Sequence, residues 1–428
     1  MNNTSCIGVG AEESKALVVD MLPIQERVRM KNEILEAEFK KLETKIHRFP
    51  PGLRAIENHR HIVPSFVALG PYHHGLPHLR HAEDVKHAAA HYFCDQSGHT
   101  VQQVYDKILS IADEARSCYD DKDAVAGFRD AEFAEMMFLD GCFLLCYAAY
   151  EKSDLLYNRM TLSTGPCMLR DVFLLENQLP WLVLEALMTF STVSEFERVS
   201  VDRLLSYRPA HLLGLLRYYL CGGSGMIPGD AEPDDKHENL QLFSLSSSAI
   251  ELAEIGIELT ASDRTWFADM SVQTDHQPFP FGQLSLTPLF LNDFTACWLV
   301  NMAAYEACVS TKYPSDGFLI SSYISLLAML MDKEEDVHEL RAKHIVQSFF
   351  SNQQVLVFFK DISRHLRLGH RYFLITGKIE EFKRQRRVRI ALHRFLYNNY
   401  KIIFTLLSIA SVLVGIFRSL MSLKQHQQ

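Results

Sequence analysis

Apolar residues return every three or four positions through most of this chain, and that spacing predicts helices. Within residues 24–46 they fall at Ile34, Leu35, Phe39, Leu42 and Ile46 with charges between them, so an amphipathic helix is expected there, stopped by Pro50 and Pro51. Residues 60–79 break the rhythm. Pro64, Gly70, Pro71, Gly75 and Pro77 exclude a long regular helix and predict a fixed irregular segment feeding a helix over about 82–93. Helical spacing resumes over 101–118 and 130–151, the second rich in Met, Leu, Phe and Ala. A further helix is expected from the apolar run after Asp171, continuing past Pro180 through Leu182, Leu184, Leu187 and Met188, because proline near a first turn is tolerated. Thr192 and Ser194, each three residues ahead of a glutamate, offer capping boxes before 199–205.

The pattern fails at 221–239, CGGSGMIPGDAEPDDKHEN, whose glycines, prolines and acids predict a variable surface loop. Beyond it, 249–255, 293–308, 321–331 and 337–359 read as helices, while 257–259 and 282–291 are short strand candidates. No repeat period recurs. The expected fold class is mainly α: a flexible N-terminus at 1–23, then one large helical cytosolic body over 24–377 with minor short strands.

One segment abandons amphipathic spacing. Residues 402–417, IIFTLLSIASVLVGIF, carry no charge and as a helix span roughly 24 Å at ~1.5 Å per residue. Phe395, Tyr397 and Tyr400 extend it upstream, Leu420, Met421 and Leu423 downstream, and the Lys401 and Arg418 side chains can snorkel. The extended helix matches a hydrocarbon core about 30 Å thick, so a C-terminal transmembrane helix is expected over 402–423.

Charge sharpens this reading. The 428 residues carry a net charge of −9, yet 378–428 alone carries +8 and the remainder −17. Lys383, Arg384, Arg386, Arg387, Arg389, Arg394 and Lys401 make 378–401 a basic juxtamembrane segment. Such a segment suits anionic lipid on a cytoplasmic face, which predicts a single-pass protein with its body in the cytosol, at the plasma membrane or the endoplasmic reticulum. The tract lacks interleaved stacking aromatics and the body is acidic, so nucleic acid is not an expected partner. Nine cysteines show no metal-finger spacing, and Cys142 and Cys146 stand one helical turn apart in an apolar run. Buried free thiols in a reducing compartment fit that pattern. Residues 1–10 contain no basic region followed by an apolar core, so no N-terminal export signal is expected.

Several phrases carry a resemblance. HIVPSFVALGPYHHG at 61–75 holds Pro64, Gly70, Pro71, Tyr72 and His73, and MMFLDGCFLL at 136–145 holds Met137, Asp140, Gly141, Cys142 and Phe143. LLENQLP at 174–180 holds Glu176, Asn177, Gln178 and Pro180, and LVNMAAYEAC follows at 299–308. In combination these blocks resemble the plant-specific family called domain of unknown function 247 and cover nearly the whole chain. The resemblance implies an uncharacterised plant membrane protein ending in a membrane helix. Some grass members of the family are candidate male determinants of self-incompatibility, which implies action through protein contacts. Residues 389–400, RIALHRFLYNNY, lack the tryptophan that the resemblance would place before the anchor.

The residues that could carry catalytic chemistry also admit structural roles. His73, His74, His78 and His81 stand within nine residues, with His87 and His91 on one helical face. No HExxH pattern accompanies them, and hydrogen-bonded or surface histidines fit better than a zinc site. Asp140 and Glu176 could divide acid and base roles if their segments met. The alternative has Asp140 binding a loop while Glu176, Asn177 and Gln178 satisfy backbone groups. No nucleotide loop or GxSxG elbow is present. The expected function is a membrane-anchored recognition or signalling component with a protein partner, no cofactor and no metal; the alternative is a membrane-bound hydrolase.

Overall fold

A computed structural model describes residues 24–39, 42–54, 61–148, 165–190, 207–223, 247–273, 282–309 and 316–425. Its first half is helical: α1 (Ile24–Phe39), α2 (Pro51–Arg54), α3 (Arg80–Ser97), α4 (Val101–Leu109), α5 (Ala112–Ser117), α6 (Lys122–Ala126), α7 (Asp130–Ala148), α8 (Gly165–Val172), α9 (Trp181–Met188) and α10 (Leu212–Leu220). The second half adds α11 (Ala249–Glu254) and strands β1 (Ile257–Ala261), β2 (Ser271–Gln273), β3 (Gly282–Leu286) and β4 (Leu289–Leu291). There follow α12 (Asp293–Val309), α13 (Leu319–Leu330), α14 (Glu334–Ala342), β5 (Val346–Ser348), α15 (Asn352–Ser363), α16 (His370–Gln385) and α17 (Arg387–Gln425). The fold is mainly helical with minor strands, as expected from the spacing.

Local chemistry sets the boundaries. Thr100 with Gln103, Ser248 with Glu251 and Ser351 with Gln354 form reciprocal capping boxes at the starts of α4, α11 and α15. Gly98 ends α3 in the left-handed conformation at φ +68°. Strand β3 pairs parallel with β1 and antiparallel with β2, and β4 pairs parallel with β5.

Four expected helices differ. The first stops at Phe39; Ile46 instead forms a parallel bridge with Tyr119, and Pro51 opens α2 rather than closing α1. Proline at a first helical turn loses no intrahelical bond. The 101–118 helix divides after Leu109, where the Ser110 hydroxyl donates to the Lys107 carbonyl and competes with the helical ladder. The helix drawn through Pro180 ends at Val172 and restarts at Trp181, since proline holds the preceding residue extended. The 337–359 helix gives way to α14, β5 and α15, interrupted by His344 at φ +58°. The capping boxes at 192–197, and all but 221–223 of the variable loop, lie outside the described residues.

The apolar residues form two clusters. One gathers α3, α4, α7 and α9 around Phe133, Met137 and Phe143. The other joins the strands to α11–α16 around Tyr323, Leu326 and Phe359. α7, apolar on all sides from Met136 onward except at Asp140, is buried along 13 of its 19 residues, as a helix in the heart of a core must be. The chain crosses between the clusters repeatedly: Ile46 lies in the first, Phe49 and Ile62 in the second, Phe66 and Leu69 in the first again. Met168, Leu175 and Leu179 make the same crossing, and Phe173 packs against both clusters.

α17 is 39 residues long, about 58 Å at ~1.5 Å per residue. Its stretch Asn399–Ile416 is long and apolar enough to cross a membrane and is 0% buried within the structure. Ile402, Phe404, Leu413 and Ile416 are all exposed. So long an exposed apolar surface needs a nonaqueous environment, and the helix accounts for membrane association.

Candidate functional site

The two irregular segments at the boundary between the clusters, 61–75 and 173–180, bury backbone that has no helical or strand partner. Buried N–H and C=O groups must be paired. Side chains supply the partners. Asp171, fully buried in the last turn of α8, accepts from the backbone N–H groups of Ser65 at 2.9 Å, Phe66 at 2.6 Å and Val67 at 3.2 Å. Asn177 accepts from Leu69 N–H at 2.7 Å and donates to the carbonyls of Val67 and Asp171 at 3.0 and 2.9 Å. Gln178 donates to the carbonyls of Val172 and Leu174 and accepts from Leu213 N–H at 3.0 Å. From the second cluster, Asn301 of α12 accepts from Leu175 N–H at 2.8 Å and donates to the His61 carbonyl at 3.0 Å.

Charge is buried in the same region. Asp140 accepts from Gly70 N–H at 2.8 Å and pairs at 2.6 Å with Nζ of Lys86, whose side chain is 0% exposed. Burial disfavours the ammonium, but the Asp140 and Glu83 carboxylates hold Lys86 protonated, above its ordinary range. Glu176 accepts from Phe49 N–H at 2.7 Å, pairs with Arg54, and lies 3.4 Å from Arg48 and 3.6 Å from His73 Nε2. Asp140 and Glu176 thus have separate cations and separate backbone donors.

The remaining motif residues complete this clasp. Pro64 and Pro71 are buried, and the Pro64 carbonyl lies 3.0 Å from His78 Nε2. Tyr72 donates to the Ile46 carbonyl at 2.9 Å beneath the Arg48 guanidinium. Pro180 precedes α9 as its N-cap. Cys142 is buried in α7, and burial pushes its thiol well above the usual range. The histidines diverge: His74 meets Phe128, His81 meets Phe66, and His73 faces Glu176. No metal-holding group of three or more His, Cys, Asp or Glu occurs among the described residues.

Gly70 and Gly141 separate two kinds of constraint. Gly70 has φ +75°, and a Cβ there would lie 2.6 Å from the Tyr119 hydroxyl and 2.8 Å from the Gln178 carbonyl. At Gly141 the added Cβ meets only the movable Leu187 Cδ1 inside 3 Å. Gly70→Ala is expected to lower stability by about 2–4 kcal/mol, combining left-handed strain with overpacking, and Gly141→Ala by about 1–2 kcal/mol. Urea unfolding of the detergent-solubilised chain orders the two; equal losses would refute the distinction.

Burial lowers His73 to about 4, although Glu176 opposes the shift, and lowers buried His211 to about 3. Both histidines are neutral in the folded chain at a pH where the unfolded chain protonates them. Stability is therefore fully present above about pH 6.5 and falls as pH drops below it, by about 1.4 kcal/mol per pH unit for each histidine. His73→Gln should remove close to one proton from the unfolding linkage between pH 6 and 4.5; an unchanged slope counts against the buried neutral state.

Spacing alone did not single out Asp171 or Asn301 as clasp residues. Both are polar side chains inside apolar helical runs, a signal that buried hydrogen bonding explains. Glu306 follows the same rule, accepting from Ile320 and Ser321 N–H at 2.9 Å each while pairing with Arg217 at 2.9 Å.

The basic tract divides. Lys383 donates to the Ser247 hydroxyl and to Glu380, Arg386 lies over Phe382, and Arg394 pairs with Glu254 at 3.4 Å. Arg384, Arg387 and Lys401 are exposed, with Lys401 over the Tyr400 ring. Arg389 lies in α17 between these residues. Sequence displays these charges in one run; Glu254, an acid far upstream, redirects part of it into the body.

A helical body closed by buried polar clasps and continued by one exposed membrane-length helix defines the class of protein. The chain belongs to the DUF247 family, plant proteins of unknown function, which matches residues 46–414. It is similar to the UPF0481 protein At3g47200 of Arabidopsis thaliana, 26% identical over 367 residues covering 74% of this chain and 72% of that protein. It is also similar to the putative UPF0481 protein At3g02645 of the same plant, 26% identical over 166 residues, 38% of this chain and 30% of that protein. No solved structure matches it. The chain is a membrane-associated plant protein whose family has no assigned biochemical activity.

Proposed function

We propose that this protein is a membrane-held recognition component that acts by binding a protein partner. The observation that carries this reading is the engagement of the motif carboxylates: Asp140, Asp171 and Glu176 each hold backbone N–H groups of a distant segment. Side chains so engaged fix the shape of a body, which is what a binding surface requires. The body faces the cytosol, and the exposed Arg384, Arg387 and Lys401 lie against anionic headgroups. Its acidic surface favours a basic partner. A role in self-incompatibility, for which some grass members of the family are candidates, is one setting in which such binding would act.

The test is proximity labelling in native tissue with the label at the N-terminus, followed by titration of the purified full chain with each recurrent labelled protein. Saturable binding without product formation, weakened by salt, supports the reading. Turnover of a small substrate by the purified chain, lost in Glu176→Gln, would instead establish the hydrolase alternative.

A further inference from the structure

Away from the clasp, a cleft of about 230 Å³ opens between the segment leading into β2 and the first half of α16. Arg371, Ile375 and Lys378 follow one another at i, i+4 and i+7, and so share one face of α16. Ile375 turns into the core while the two cations flank the opening. The facing wall carries Arg264, whose guanidinium lies 5.5 Å from the Trp266 ring centre, and Asp269, which accepts a hydrogen bond from the Ser262 hydroxyl. Three cations and one carboxylate therefore line a concave site on a body that is otherwise acidic.

We infer that this cleft binds a small water-borne phosphate monoester. Two guanidinium forks and an ammonium match the oxygens of a dianionic phosphate, which Arg grips in a planar bidentate manner and Lys as a point charge. The Trp266 ring supplies an apolar wall for the carbon skeleton. The volume suits a group of sugar size and falls below the ~300–1,000 Å³ of most drug-sized pockets. A lipid headgroup is the less suitable source: the cleft is lined from the approach to β2 and from α16, and by no residue of α17, which carries the membrane-length stretch.

The experiment titrates full-length protein in neutral-lipid nanodiscs with inorganic phosphate and with glycerol 3-phosphate, by calorimetry, and repeats binding to nanodiscs containing phosphatidic acid. Saturable binding of the soluble probes with a dissociation constant below 1 mM is expected, as an order of magnitude for a solvated cation cluster. Lys378→Gln and Arg264→Gln, both at exposed positions, should each weaken it about fivefold or more, the loss of one charge-assisted contact. Arg384→Gln, outside the cleft, should leave it unchanged. Thermal melting of each variant establishes that it is folded. Absence of saturation by 10 mM, equal affinity in all variants, or binding only to phosphatidic acid would each overturn the inference.

Discussion

Replacing Lys86 by methionine is expected to destabilise the body by about 3–5 kcal/mol, the cost of leaving a buried carboxylate without its cation. Lys86 and Asp140 are 0% and 1% exposed and 2.6 Å apart, so neither side chain can turn outward to water. A domain is typically stable by only about 5–15 kcal/mol, so this variant should populate unfolded chain at growth temperature. Removing both charges together should hurt less than removing one. Lys86→Met with Asp140→Leu still deprives Gly70 N–H of its acceptor, which costs about 1–3 kcal/mol, but it eliminates the unpaired charge. Urea unfolding of wild type, both single variants and the double closes the cycle. Additive losses would show that the two groups act independently and that the close pair contributes nothing as a pair.

Ile409→Arg combined with Val412→Arg should abolish membrane integration. Both residues are exposed near the middle of Asn399–Ile416, and each arginine at that depth opposes insertion by about 2.5–3.5 kcal/mol. Together they amount to about 5–7 kcal/mol, a shift of roughly four to five orders of magnitude in partitioning. Carbonate extraction of microsomes should move the protein from pellet to supernatant, with the melting temperature of the body unchanged because that stretch is 0% buried against it. A variant that stays in the pellet would mean that α17 is not what holds the protein to the membrane.

The body's helices and its anchor were legible because both depend on local spacing. Charge-free residues 402–417 announce a membrane helix, and the apolar spacing over 130–151 and 293–308 announces α7 and α12. What could not be read is partnership over distance. Glu176 meets Phe49 across 127 positions and Asn301 meets His61 across 240. Pro64, Gly70, Pro71, Gly75 and Pro77 exclude a long helix over 60–79, and 61–75 is irregular. Its reason for being irregular and yet buried appeared only when Asp171, Asn177 and Asp140 were seen to supply its hydrogen bonds. For the same reason local spacing predicts helix through Val346–Ser348: its partner strand Leu289–Leu291 is over fifty residues away.

The attachment of α17 to the body also governs motion. Ile390 packs on the second core cluster, His393 Nδ1 lies 2.9 Å from the Glu254 carbonyl and Arg394 pairs with Glu254, five residues before Asn399. Those five residues span about 7–8 Å of helix, less than half the ~20 Å radius of gyration of a body this size. The body therefore cannot roam like a weight on a string. It turns as its membrane helix turns, and one side always points toward the bilayer. Any neighbour it meets in the same membrane arrives with the orientation already decided, so the encounter is a search in a plane and no longer in a volume.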